Sequence, residues 1–239
     1  MSNFEMLNNV AHADVKINLA RAPELGDDVM FCMTYPFEFR LALAHYPILM
    51  YRDRETNTMF PVTLFGFEEG ENLFLTANGW DARYIPIMVQ RQPFSIGFQQ
   101  VKGSDEKQQV ITFNPAHPRV NTSVGEAVFN DQGGNTPYLE KVIKMLESID
   151  TGHAQNQILA AALDKYDLLE ESTIAITLND GTSYELVGFS TIADDKFEAL
   201  SAEALHDLNQ QKLLLPITMM MASMSNLGNL VDIRNRNLG

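Results

Sequence analysis

The densest set of reactive side chains in this sequence is the run Trp80-Asp81-Ala82-Arg83-Tyr84, which places an indole, a carboxylate, a guanidinium and a phenol side by side. A large aromatic next to an Arg and an Asp can stack on a ligand, grip an anion through paired hydrogen bonds and offer an acceptor. The same residues have a structural use of equal chemical merit. Asp81 can cap a following helix, Trp80 can anchor that helix on a sheet, and Tyr84 can fill a core with its hydroxyl satisfied. Both uses remain open at the level of sequence.

The other reactive types are spaced poorly for chemistry. None of His12, His45, His117, His153 and His206 stands three or four residues from another, and none adjoins Cys32, so zinc-type ligand spacing is missing and no metal is expected. Cys32 lies between Phe31 and Met33, a setting for a buried structural thiol rather than a nucleophile. No Gly-x-Ser-x-Gly elbow or phosphate-cradling glycine pattern occurs, and no cofactor is expected. Glu68, Glu69 and Glu71 near Asp81 could supply an acid and a base, but in so acidic a chain most carboxylates are solvated.

The elements that would position these groups follow from periodicity and turn chemistry. A chain of 239 residues with 45% hydrophobic content can bury a substantial core and reads as one domain, residues 1–239. Alternation at Val15, Ile17 and Leu19 predicts a short strand, and residues 36–46 a helix ended by Pro47. Strands at 48–52, 60–67 and 72–76, with short connections, predict an antiparallel meander. Asp81 then opens a helix to about residue 91, interrupted at Pro86. Strands follow at 94–99 and 109–113 across the polar turn Gly103-Ser104-Asp105-Glu106-Lys107, and residues 114–135 read as a long surface loop.

Thr136 with Pro137 marks a helix start running to about residue 149, and a second helix, 154–166, follows Gly152. Strands 174–178 and 184–189 flank the turn Asn179-Asp180-Gly181-Thr182. Helices 194–211 and 213–233 close the chain, the second bent near Pro216. The absence of strand–helix–strand alternation predicts an α+β fold: a mostly antiparallel sheet, meander plus hairpin, with C-terminal helices packed on it.

Bulk charge narrows the partners. The 17 basic and 31 acidic side chains give a net charge of -14, which opposes a nucleic-acid backbone. A single cysteine excludes an internal disulfide, and residues 1–20 lack the pattern of a secretory signal, so a cytoplasmic location is expected. Residues 213–231 carry no charge and approach the length of a membrane span, but Pro216, Thr218, Ser223, Asn226 and Gly228 lower their hydrophobicity. They read as a buried helix of a soluble domain with no membrane span, Met219, Met220, Met221 and Met224 serving as adaptable core filler.

One further pattern emerges from the order of motifs. Tyr46-Pro47-Ile48, Phe60-Pro61-Val62 leading to Gly66, Gly70-Glu71-Asn72-Leu73-Phe74, Trp80-Asp81-Ala82-Arg83-Tyr84-Ile85-Pro86, Arg91-Gln92-Pro93-Phe94-Ser95 and Thr136-Pro137-Tyr138-Leu139 together resemble the SapC family of bacterial proteins. The likeness runs from about Asn18 to Val231 and is most specific between Gly70 and Ser95. The sequence departs from the family after Ser95, where Ser104 to Lys107 precede a Gln-rich strand. The resemblance implies a link to surface-layer gene clusters and to TonB-dependent receptors, halogenase-like and cupin-like proteins as neighbours, and it brings no catalytic residues. Taken with the missing catalytic motifs and the acidic, soluble composition, that setting leads us to expect a soluble, non-enzymatic accessory protein that binds a protein partner in a bacterial surface or nutrient-uptake pathway. The alternative is an enzyme or enzyme subunit holding a small anionic or sugar-like ligand near Trp80 to Tyr84. The candidate ligand- or partner-binding residues are Asn72, Trp80, Asp81, Arg83, Tyr84 and Tyr138.

Overall fold

A computed structural model describes residues 4–100, 107–170 and 174–238. The fold is α+β, and among the described residues every strand pairing is antiparallel. The chain forms two compact units, Met1–Asp27 with Ile87–Asp150 and Asp28–Pro86 with Thr151–Gly239.

In the first unit the predicted hairpin is present as Phe94–Gln100 against Lys107–Phe113, with Glu5–Met6 on the outer side of the second strand. Phe94 and Phe113 face one another at its base and are fully buried, a cross-strand aromatic pair of the kind that fixes register. The predicted turn at 103–107 lies outside the described residues except for Lys107. The predicted loop at 114–135 is partly ordered as sheet: Val120–Asn121 and Glu126–Ala127 flank Lys16–Ile17 on either side. Gly125 makes this approach possible. Its φ is +101°, and a Cβ there would stand 2.0 Å from the Ile17 carbonyl oxygen.

The helix expected after Thr136 begins where predicted, with the Thr136 Oγ1 accepting the Leu139 N–H at 3.3 Å. It does not stop at Gly152. One helix runs Pro137–Lys165, the later part belonging to the second unit. Gly152 is a contact residue rather than a breaker: the Tyr35 ring packs so closely that a Cβ on Gly152 would lie 2.5 Å from Tyr35 Cδ1.

The second unit is built on a five-stranded sheet in the order Leu169–Glu170, Phe189–Ile192, Ile48–Arg52, Met59–Leu64, Phe31–Met33. The first hairpin of the predicted meander is there; its third strand is not. The chain doubles back at Gly66, where an added Cβ would meet the Glu71 carbonyl oxygen at 2.6 Å, and Leu73 N–H returns to the Phe65 carbonyl. Leu75–Thr76 then pairs with Gly79–Trp80, and Phe31–Met33 fills the sheet edge. The helix predicted from Asp81 shrinks to Ile87–Gln90. Asp81 N–H extends the small hairpin by donating to the Phe74 carbonyl at 2.7 Å, and Pro86 disfavours helical geometry in the residue before it.

Ile174–Thr177 and Ser183–Leu186 form the hairpin predicted around Gly181, which takes φ +88°. The predicted helix 194–211 divides into Asp194–Glu198 and Ala202–Gln210, because Ser201 opens a new helix by accepting the Ala204 N–H at 3.2 Å.

The Met-rich region is two helices, Leu214–Ser223 and Asn226–Arg236. Pro216 sits in the first turn, where a missing N–H costs nothing, so the break falls at Met224 and Ser225 instead. Ser223 Oγ accepts the Ile48 N–H at 2.8 Å, and Asn226 Nδ2 donates to the Leu43 and Tyr46 carbonyls at 2.7 and 3.3 Å. Met219, Met220 and Ile217 are buried in the unit. By length and composition alone Leu214–Arg236 would suffice to cross a membrane; a third of its most apolar window is buried within the fold.

Candidate functional site

Glu38 organises the neighbourhood of the aromatic run. It precedes the one-turn helix Phe39–Ala42 and is 1% exposed, so its carboxyl must be met by hydrogen bonds. The Tyr84 hydroxyl donates to Glu38 Oε1, and Thr34 Oγ1 donates to Oε2 at 3.3 Å. The Thr34 carbonyl in turn accepts Asn156 Nδ2 at 3.0 Å from the long helix.

A second chain of contacts joins Trp80 to Tyr84. Trp80 Nε1–H donates to the Tyr46 hydroxyl at 2.8 Å, and that hydroxyl donates to the Tyr84 carbonyl. Around these bonds the rings close tightly. Trp80 meets Phe65 edge-on at 5.1 Å and lies parallel to Phe74 at 6.5 Å, while Tyr46 meets Phe74 edge-on at 4.7 Å. Burial pushes the Tyr46 phenol above its usual range, against the donated indole N–H. Burial first, and then the Glu38 carboxylate, push the Tyr84 phenol higher still. Both phenols are therefore neutral donors at any physiological pH.

The sequence candidates divide accordingly. Trp80 and Tyr84 are brought together through Tyr46, with their polar atoms bonded inside the fold. Asn72 is buried and shapes the preceding turn, its Oδ1 accepting the Phe74 N–H at 3.1 Å. Asp81 and Arg83 point outward. Both are exposed, and among the described residues neither side chain makes an ion pair or hydrogen bond, with each other or elsewhere.

Tyr138 belongs to the first unit. Its hydroxyl is buried without a partner among the described residues, and burial pushes it up to about 12 against the nearby Arg119 and Arg21. Sequence reasoning missed Glu38, Tyr46 and Thr34. Only Tyr46, inside a quoted motif, stood near a signal that could have found it.

The first unit holds a separate ionic cluster that also escaped the sequence. Asp27 is fully buried, and Arg119 Nη2 donates to both of its oxygens at 2.6 Å, while Arg21 Nη1 reaches Oδ1 at 3.1 Å. Arg119 Nη1 continues to the Asn18 and Ala20 carbonyls at 3.0 and 2.7 Å, which fastens residues 18–27 beside Arg119. Burial, and then Arg119, lower the basicity of His117, whose Nδ1 accepts the Arg119 N–H at 3.2 Å. The geometry is that of a structural clamp. Among the described residues no group of His, Cys, Asp and Glu is placed to hold a metal ion.

Two clefts open on the second unit, and neither is lined by a residue of the Glu38 network. The first, of about 480 Å³, lies where the turn after the Ala202–Gln210 helix meets the long helix. Its apolar wall includes Phe37, Ile158 and Leu215, which are 43%, 49% and 54% exposed, and among the described residues Lys212 is the only charged one that lines it. The second, of about 800 Å³, has an aromatic floor and an acidic rim.

A family model described as SapC matches residues 7–230. No curated protein and no solved structure matches the chain.

Proposed function

The chain belongs to the SapC family, and from that premise we propose that it is a soluble, non-enzymatic accessory protein that binds a protein partner in a bacterial surface or nutrient-uptake pathway. The observation that carries this reading is the open apolar groove. Phe37, Ile158 and Leu215 each leave about half of a large hydrophobic side chain in water on one continuous wall. Covering the three would contribute roughly 2–4 kcal/mol, at about 1.5–3 kcal/mol for full burial of each such side chain.

The internal closure of the Trp80 network supports the same reading. Its indole N–H and both phenols are engaged within the fold, so the most reactive-looking stretch holds the Gly79–Trp80 hairpin against Tyr46 and Glu38. A partner of cupin-like, halogenase-like or TonB-receptor-associated type fits the family's setting. Affinity capture of the tagged chain, at native expression from its own cell, is expected to retrieve one such protein in fixed ratio. Replacing Leu215 by Lys should release it. Recovery of the tagged chain alone under gentle conditions contradicts the reading.

A further inference from the structure

The larger cleft has a chemistry unlike the rest of the surface. Its floor is a cluster of three rings from three strands of the five-stranded sheet: Phe31 lies 4.7 Å from Tyr51 and 5.3 Å from Phe189, and Tyr51 lies 5.1 Å from Phe189. Phe31 and Tyr51 are partly exposed, and Phe189 is buried. Asp28, Glu68, Glu69 and Glu185 rim these rings, and among the described residues no Lys, Arg or His lines the cleft.

Arg234 lies behind the rim and is already committed. It contacts Glu68 at 3.7 Å, pairs with Glu71 at 3.0 Å and donates to the Tyr184 hydroxyl at 3.2 Å. Among the described residues, Asp28, Glu69 and Glu185 have no ion pair. Their carboxylates come from three separate chain segments and, among the described residues, are not grouped to hold one metal ion.

We propose that this cleft receives an arginine-bearing segment of the partner protein, with a guanidinium stacked on the Phe31–Tyr51–Phe189 floor and paired to the rim carboxylates. The assignment rests on the partner-binding reading and adds the partner's chemistry at a second place. A guanidinium combines what the cleft offers: a planar cation for aromatic faces and a fork of donors for carboxylates. An ammonium is also drawn to a ring face, but it lacks the planar surface that stacks on the floor and the fork that pairs with the rim. A cleft of about 800 Å³ also exceeds one side chain and admits a short stretch of backbone.

The test uses the full chain and a synthetic peptide, Arg-Gly-Arg-Gly-Arg, titrated by calorimetry at fixed low salt. A lysine counterpart and spermidine serve as competing cations. The arginine peptide is expected to bind most tightly. Exchanging Glu69→Gln together with Glu185→Gln should weaken it by about 3- to 10-fold, the worth of two exposed pairs.

The control pair Asp194→Asn and Glu198→Gln, exposed and outside the cleft lining, should weaken it less than about 2-fold, because it changes only the long-range field. Equal loss in the control pair, equal binding of the lysine peptide or spermidine, or no binding of the arginine peptide overturns the assignment. If the peptide fails while the partner is still captured in a Leu215-dependent manner, this inference falls alone. If capture fails as well, the partner-binding reading falls with it.

Discussion

Replacing Gly152 by Ala sets two effects of opposite sign against each other. Glycine inside a helix is less favourable than alanine by about 0.8–1.0 kcal/mol, so propensity alone predicts that Gly152→Ala stabilises the Pro137–Lys165 helix. Packing predicts the reverse. The new methyl would stand 2.5 and 2.6 Å from Cδ1 and Cγ of Tyr35 and 3.0 Å from Cε1 of Phe37.

The Tyr35 ring cannot yield cheaply. It is fully buried, stacks on Phe37 at 5.5 Å and meets His153 edge-on at 5.4 Å. Overpacking of this kind costs about 1–3 kcal/mol, which at least offsets the helical gain and leaves a net loss of up to about 2 kcal/mol. Urea unfolding followed by far-ultraviolet circular dichroism should show a lowered midpoint with an unchanged slope. In a Tyr35→Leu background the clash is gone, and the same alanine should become neutral or stabilising, giving a coupling of about 1–3 kcal/mol. A single Gly152→Ala variant more stable than the parent, additive with Tyr35→Leu, would refute the claim that ring contact dictates the glycine.

Other perturbations test the remaining supports. Asp27→Asn removes the carboxylate shared by Arg119 and Arg21 and leaves a guanidinium that is 1% exposed without its counterion; a loss of about 3–5 kcal/mol in urea unfolding is expected, and a loss below about 1 kcal/mol would show the cluster to be dispensable. Ser223→Ala strands the buried Ile48 N–H and should cost about 1–3 kcal/mol, less the small helical gain of alanine, whereas no change in midpoint would mean that the Met-rich helix is not tied to this strand. Hydrogen bonds from Lys165, Tyr166 and Gln211 hold Asp207 down at about 2, below its ordinary 3.8. Because the folded value is the lower one, this contribution to stability is present above 3.8 and fades as pH falls through 2. Carboxyl NMR should find Asp207 titrating near 2, and Lys165→Met should raise it; an unmoved value would discount the bond from Lys165.

The parts of the fold legible in the sequence were those governed by local rules. The Thr136-Pro137 start, the hairpin around Gly181 and the Phe94 to Phe113 pairing each rest on a cap, a turn glycine or alternation within a few residues. What was misread depended on distant partners. Gly152 resembles a helix end until the Tyr35 ring is placed beside it, and the third meander strand fails because Gly66 folds back onto Glu71. Asp81 resembles a cap until its N–H is seen bonded to the Phe74 carbonyl.

The candidate sites follow the same division. Trp80 and Tyr84 stood out by type, but the residues that fix their roles, Tyr46 and Glu38, lie 34 and 46 positions earlier. Asp27 and Arg119 meet across 92 positions with no periodic signal. The apolar groove draws on Phe37, Ile158 and Leu215, whose spacing in sequence carries no information about their adjacency.

The central claim is that the exposed groove is a partner surface, and site-specific photocrosslinking in the native cell addresses it most directly. A photoreactive residue placed at Leu215 is compared with one at Val10, which is 85% exposed and lies in the other unit. The account predicts a discrete crosslinked species from Leu215, containing a cupin-like, halogenase-like or receptor-associated protein, that Ile158→Lys abolishes, and no such species from Val10. An uncrosslinked chain at Leu215, or the same products from both positions, would contradict it.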